Sequence, residues 1–407
     1  MSKPKLALIP SGYKSGKVYS ILPNDATGDF DYERNGNASR VRKDGLIEEL
    51  TVDDTPRLDW YNSNCPSLLL EPQRSNIQLR SEEFDNAVWS KVNASITANQ
   101  IVAPNGEYTA DQLTATASSL STYVYEQHSL STSTDYSMSV FVKKGTSNLV
   151  RLDLEDFTSG TQGRMTFNLN TKEITNEVGT ASYEDYGNGW YRLKVSFTTS
   201  ATLGIHYLRI WDFETVNGAY FYLWGAQIEE GSYCSSYIKT EASTVTRLKD
   251  ECLNGGDSDL FDITEGTFFA DITPYDNEGA NTTYILLSDG STLNRIIFIF
   301  YGNLNQVRFF LSSNASGSTV NYLSHYQSIS FNQKNKLAFT FKKDELKCYA
   351  NGSLVHTISS ALVPINLESL DFSTSAQNSS FFEGKVHDTR VYDRVLTEAE
   401  AIELTTL

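Results

Sequence analysis

The sequence predicts an all-β protein: two consecutive antiparallel β-sandwich (jelly-roll) domains after an extended N-terminal segment, closed by a short C-terminal helix. Three observations predict it. Tyrosine (23) and phenylalanine (21) are abundant, and 40% of the 407 residues are hydrophobic, enough to build more than one core. From residue 72 onward, short runs alternate apolar and polar residues, the period of half-buried strands. Polar turns separate these runs at regular intervals, the spacing of a sandwich of two sheets.

Residues 1–71 form the first expected unit, an extended anchoring segment. They are rich in turn formers and charges and carry little periodic apolar pattern, so a partner is needed to order them. The first 24 residues hold Lys3, Lys5, Lys14 and Lys17 and no acid, whereas the whole chain carries a net charge of −17. A basic arm ahead of an acidic body suits docking onto an acidic protein platform; a solvated terminus is the competing reading. The acidic balance opposes binding to nucleic acid or to an anionic membrane. The apolar run at residues 6–10 falls short of a secretory signal core, and no stretch has the ~20 apolar residues of a membrane span.

Residues 72–247 form the second unit. "YSMSVFVKK" sets Tyr136, Met138, Val140 and Val142 inward against Phe141 and Lys143, and "LVRLDLEDF" sets Val150, Leu152 and Leu154 against Arg151, Asp153 and Glu155. "YGNGWYRLKVSF" aligns Tyr191, Leu193, Val195 and Phe197 on one side and Trp190, Arg192, Lys194 and Ser196 on the other. "IHYLRIWDF" separates Leu208 and Ile210 from Tyr207, Arg209 and Trp211. "AYFYLWGAQI" is apolar on both faces, as a central strand covered on both sides should be.

The Gly, Asp and Asn cluster of "LKDECLNGGDSD" marks a boundary, and residues 248–407 form the third unit. Its strands include "RIIFIFYG", "QVRFFLSS", "KLAFTFKK" and "ELKCYANGSLVHT", in which Asn351-Gly352 is a strong hairpin signal. "TEAEAIELTTL" reads as a helix with Thr397 at its N-cap and Glu398 and Glu400 in the first turn. Cys65, Cys234, Cys252 and Cys348 form no CxxC pair and read as mostly free thiols, with a Cys234–Cys252 disulfide left open.

Three segments carry a resemblance. "LLLEPQRSNIQLRSEEFDNAVWSK", "YGNGWYRL" and "YLWGAQIEEGSYCSSYIKT" resemble a carbohydrate-binding-module-like sandwich common in structural proteins of tailed bacteriophages. The upstream "ASRVRKDGLIEEL" and "PRLDWYNSNCPSLLLEP" resemble the lead-in that often precedes it, so this resemblance spans residues ~29–247. Separately, "KLAFTFKKDELKCYANGSLVHT" and "FEGKVHDTRVYDRVLTEAEAIEL" resemble the closing strands and helix of laminin-G-like, concanavalin-A-like jelly rolls. Together these resemblances imply a phage virion protein, a tail or head fibre or spike. Such a protein is made in the host cytoplasm, exposed on the particle and docked to capsid, portal or tail proteins. They further imply recognition of host-surface glycan and assembly into a homo-oligomer such as a trimer.

The expected glycan site gathers Trp190, Arg192, Tyr207, Arg209, Trp211, Arg151, Asp153 and Glu155 on outward strand faces. Aromatic planes stack on the C–H faces of sugar rings, while guanidinium and carboxylate groups bind the hydroxyls. The competing reading makes these residues a structural lid or a protein interface. A catalytic role is not expected: no histidine neighbours a nucleophile turn, and His387 and Asp388 occupy opposite faces of one strand. Asp153 and Glu155 share a face, and neighbouring carboxylates can serve a glycosidase, but their spacing is diagnostic of neither mechanism. Asp271, Asp276 and Asn281 offer oxygen ligands without a fixed-spacing loop, so neither metal nor cofactor is expected. The alternatives are a carbohydrate-active enzyme that docks substrate on its sandwiches, and a capsid or tail cement protein without a ligand.

Overall fold

The computed structural model of the protein describes residues 3–202, 204–276, 282–373 and 381–407. Its regular structure is almost entirely β, with antiparallel pairing and one α-helix among the described residues. The chain divides into two units: Met1–Asn37, Leu50–Pro72 and Leu248–Leu407 form one, and Ala38–Glu49 with Gln73–Arg247 form the other. The first 71 residues are therefore not a separate extended segment. Leu6–Leu8, Leu58–Asp59 and Ser67–Leu70 join the larger sheet of one unit, Tyr13–Lys14, Lys17–Val18 and Phe30–Glu33 form a small sheet with Glu251–Leu253, and Ala38–Val41 pairs with Ile47–Leu50.

In the unit that contains the C-terminus, one sheet runs in the order Ser353–Ser359, Glu345–Ala350, Asn335–Lys342, Gly266–Pro274, Gly384–Tyr392, Ser67–Leu70, Leu58–Asp59. Strand Gly384–Tyr392 shares its outer edge between two N-terminal segments. Ser67–Leu70 pairs with Gly384 to Val386, and Leu6–Leu8 pairs with residues Thr389 to Val391. A second sheet, Val320–Ser328, Gln306–Ser313, Arg295–Tyr301, Thr282–Ser288 and Ser369–Asp371, faces it. Phe268, Phe298, Phe309, Phe339 and Phe341 pack between them, with Leu6, Leu8, Val18 and Phe30 in the same core. Burying these leucines outweighs the solvation of a two- or three-residue strand, so local periodicity is too sparse to reveal it.

The same unit holds a buried ionic cluster. The Arg57 guanidinium reaches Glu71 (2.6 Å) and Asp250, and Asp250 also accepts from the Tyr32 hydroxyl (2.5 Å), Arg34 (3.4 Å) and the Glu71 amide (2.9 Å). Burial pushes the Tyr32 hydroxyl well above its ordinary range, and the Asp250 carboxylate adds to this. At the other end of the chain, helix Glu398–Thr405 begins with a capping box between Thr397 and Glu400. It covers Phe269, Ala338, Tyr349 and Tyr392 on the outward side of the larger sheet. Asn351 and Gly352 both take positive φ in the turn between Glu345–Ala350 and Ser353–Ser359.

The other unit is a sandwich of two six-stranded sheets. One runs Ser90–Val92, Thr122–His128, His206–Asp212, Leu149–Asp156, Gly160–Asn168, Ile174–Val178. The second runs Ala94–Ile101, Ala110–Ala115, Tyr220–Glu230, Asp135–Lys144, Trp190–Thr198, Thr180–Asp185. Their inward sides meet in one core that includes Met138, Val140, Leu152, Leu154, Leu193, Leu208 and Leu223. Gly225, at φ 62°, bulges the central strand, so Phe221 and Leu223 point inward before the bulge, and Ala226 and Ile228 do so after it. Tyr222 and Trp224 face the other way into a second, smaller core, so "FYLWGAQI" is apolar on both faces.

Cys65, Cys234, Cys252 and Cys348 are all free thiols, so Cys234 and Cys252 are not bridged. No helix among the described residues is long and apolar enough to cross a membrane.

Candidate functional site

The two sheets of the sandwich expose very different outward faces, and they divide the eight expected site residues. Trp190 and Arg192 lie on strand Trp190–Thr198, which pairs with Asp135–Lys144 and Thr180–Asp185. Tyr207, Arg209, Trp211, Arg151, Asp153 and Glu155 lie on the opposite sheet. The expected single cluster of eight is thus corrected to six.

Trp190 and Arg192 do point away from the main core, but their face is roofed. Trp190 is 3% exposed and packs with Ile47, Ala103, Phe141, Trp224 and Tyr237, while its indole N–H donates to the Val102 carbonyl at 3.1 Å. Arg192 is 2% exposed and donates through Nε and Nη2 to Ser139 Oγ at 3.1 and 2.9 Å. The roof includes Ile47, from a hairpin of Ala38–Val41 and Ile47–Leu50, and the segment around Ala103. A tryptophan on the polar parity of its strand is here the centre of a second, smaller core. Lys194, next along that face, is ion-paired to Glu184 at 2.7 Å.

The opposite sheet keeps its outward face open and arranges it as three rungs across four strands. Cross-strand register sets Tyr123, Trp211, Arg151 and Thr166 in the first rung. Tyr125, Arg209, Asp153 and Arg164 form the second, and Gln127, Tyr207, Glu155 and Thr161 the third. Inward neighbours Val124, Leu208, Ile210, Leu152 and Leu154 hold each strand to the core, so alternation fixes every one of these side chains outward.

Charge fills the centre of this face. Arg209 donates through Nε to Asp153 Oδ1 at 2.8 Å, and through Nη2 to Asp153 Oδ2 at 3.1 Å and Glu155 Oε2 at 2.9 Å. Arg164 approaches the same two carboxylates at 3.4 and 3.6 Å, and the Trp211 indole N–H donates to Asp153 Oδ1 at 3.2 Å. Burial lowers the Arg151 guanidinium below its ordinary range, and neighbouring Arg164 lowers it further; Arg151 stacks 3.6 Å over the Phe213 ring.

Aromatic rings border the charges. Trp211 and Tyr123 lie 4.1 Å apart between centroids, Tyr125 and Tyr207 5.5 Å, and Tyr207 and Phe157 4.7 Å. Phe157 is 73% exposed at the turn after Leu149–Asp156. Tyr123, Tyr125, Phe157 and Arg164 were missing from the expected site. The Tyr-Val-Tyr alternation of "TYVYEQH" carried the signal for the two tyrosines; only cross-strand register brings in Arg164.

The other expected positions lie apart. Lys5 meets Asp393 at 3.6 Å and Lys17 meets Asp31 at 2.6 Å, both in exposed pairs, while Lys3 and Lys14 are exposed. His387 Nε2 lies 3.0 Å from Thr273 Oγ1, whereas Asp388 is held by Arg390 at 3.0 Å, so the two do not act on each other. Asp271 pairs with Lys334 at 3.0 Å, and Asn281 lies outside the described residues. No group of three or more metal-ligating side chains gathers among the described residues.

Residues 255–401 match the family model described as concanavalin A-like lectin/glucanases superfamily. A search of curated proteins found no match. Among solved structures, domain 4 of the arabinanase AbnA from Geobacillus stearothermophilus, in complex with arabinotriose, has 16% identity and a TM-score of 0.32 over 42% of this chain and 81% of that one. The CBM40 domain of the Ruminococcus gnavus IT-sialidase, bound to α2,3 sialyllactose, has 17% identity and a TM-score of 0.28 over 36% and 84%. The enzymatically active domain of tailspike protein 4 from bacteriophage CBA120 has 10% identity and a TM-score of 0.27 over 38% and 21%. Likenesses this low carry nothing about ligand or reaction.

Proposed function

We propose that the protein binds glycan through the outward face of the sheet that carries Trp211, and that it does so without catalysing a reaction. The observation that supports this is the layout of the face: a central Arg209–Asp153–Glu155–Arg164 group, bordered by partly exposed tyrosine, tryptophan and phenylalanine rings. Rings stack on sugar C–H faces, and fixed guanidinium and hydroxyl donors read sugar oxygens without needing to move. The family-model match of residues 255–401 fits a lectin-like protein. Both carboxylates are engaged by guanidinium groups, and Asp153 is wholly buried, an arrangement poorly suited to a general acid.

A glycan array probed with the full chain tests this reading. Trp211→Ala and Tyr207→Ala are each expected to lower the retained signal at least about tenfold, the loss of one stacking contact of ~1.4 kcal/mol. Binding that persists in both variants overturns it.

The setting we propose is the exterior of a tailed-phage particle, as an oligomeric fibre or spike made in the host cytoplasm. The sequence resemblance across residues ~29–247 supports it, and a trimer would multiply weak sugar contacts through avidity. Antibody labelling of intact particles tests the setting, and absence of the protein from purified particles overturns it. A silent glycan array with full incorporation would favour the cement reading instead.

A further inference from the structure

The face built on Trp211 pairs Arg209 and Arg164 with its own carboxylates; the smaller sheet of the C-terminal unit offers its arginines none among the described residues. On strands Thr282–Ser288, Arg295–Tyr301 and Gln306–Ser313, the residues of outward parity are apolar at the centre: Leu286, Ile297, Ile299 and Phe310 form a cluster of their own. Two arginines flank it. The Arg295 guanidinium carbon lies 5.1 Å from the Phe310 ring centroid, and that of Arg308 lies 5.3 Å from both Phe310 and Tyr326. Tyr326, 46% exposed, stands 5.6 Å from Tyr301, and Tyr284 packs against the same cluster.

Among the described residues, neither arginine forms an ion pair. Arg308 instead meets the Tyr301 hydroxyl and Arg295 neighbours that of Tyr284, and both phenols are neutral at ordinary pH. The Nε atoms of both are covered and without a hydrogen-bond partner. Burial draws the Arg295 guanidinium below its usual range, as expected for a partly desolvated cation with no anion beside it. In a chain of net charge −17, two partly buried cations with no acid paired to them among the described residues carry a desolvation cost that ring contacts offset only in part. An incoming anion would offset it.

We propose that this face is a second binding site, specific for a carboxylate-bearing polysaccharide, with Arg295 and Arg308 holding the carboxylate and Tyr301 and Tyr326 stacking against the sugar ring. Charge complementarity selects an anion, and the exposed Tyr326 ring with the half-buried Tyr301 beside it selects a saccharide over a bare ion. The site is separate from the face that carries Trp211, where Asp153 and Glu155 already occupy Arg209 and Arg164.

The test uses the full chain on immobilised polygalacturonate, with dextran as the neutral control and dextran sulfate as the sulfated one. Binding to polygalacturonate is expected to exceed that to dextran at least about tenfold and to weaken as salt is raised. The double variant Arg295→Gln/Arg308→Gln should lose it, while Trp211→Ala should keep it. Thermal melts of the double variant close to those of the parent show that it is folded. Equal binding to dextran, retention by the double variant, stronger binding to dextran sulfate, or loss only with Trp211→Ala would each overturn the proposal. So would binding to none of the three polymers, which would leave an acidic protein as the occupant to seek.

Discussion

Arg209 grips Asp153 through two parallel hydrogen bonds, 2.8 and 3.1 Å long, from directly opposite positions on neighbouring strands. Asp153 has no exposed side-chain surface. Removing its main partner strands a buried carboxylate, so Arg209→Met is expected to cost about 3–5 kcal/mol. Urea unfolding measures it; a loss below about 0.5 kcal/mol would mean the pair behaves as an exposed one.

Trp190 and Trp211 should respond oppositely. Trp190 fills the small core under the Ile47 hairpin, and Trp190→Ala is expected to destabilise by about 3–5 kcal/mol. Its effect on glycan retention, measured well below the melting temperature, should be small. Trp211→Ala should lose retention with little change in the unfolding midpoint, and a reversed pattern would contradict the assignment of the two faces.

Leu8 is fully buried on the edge of strand Gly384–Tyr392. Leu8→Ala is expected to cost roughly 2–5 kcal/mol. Deleting residues 1–10 should therefore lower the melting temperature of the C-terminal unit, read by differential scanning calorimetry. An unchanged melt would show that the N-terminal strand is dispensable.

Two buried groups should give the sandwich of residues 73–247 opposing pH dependences. His128 Nε2 sits 3.1 Å from Gln78 Oε1, and the Gln78 amide donates to Glu126. Burial, then the nearby His206, brings His128 down to about 4, and burial brings Glu126 up to about 7. The neutral His128 stabilises above its unfolded value near 6.5, and that contribution is lost as pH falls through 4. Protonated Glu126 stabilises fully below its unfolded value of 4.5, and that contribution is lost as pH rises through 7. Between pH 4.5 and 6.5 the two trends oppose each other. Glu126→Gln should expose the His128 trend, a loss of up to roughly 3 kcal/mol on acidification. Denaturant titrations at several pH values measure it, and a flat profile in that variant would contradict the assignment.

Much of the fold was legible because strand parity is a local property. The alternations at 149–156 and 206–212 gave the correct outward set, and Thr397 with Glu400 gave the helix start. Two things were not legible, and both are non-local. Parity says that Trp190 leaves the main core but not that the Ile47 hairpin will cover it. Likewise, "LAL" is too short to announce a strand, since its hydrogen bonds are completed by residues almost a whole chain away. Tyr123 and Tyr125 were readable but unused; Arg164 needed the register of two strands.

The pairing of Leu6–Leu8 with the strand Gly384–Tyr392 bears on synthesis. As the chain leaves the ribosome, Leu6–Leu8 emerge long before residues 389–391, and their edge is finished only when that later strand appears. The sandwich of residues 73–247 is complete well before that moment and can fold while the rest is still being made. A truncated product that stops short of residue 384 would thus carry one finished sandwich and a set of unpaired apolar strands. Such edges template aggregation, so premature termination should yield insoluble rather than partly active protein.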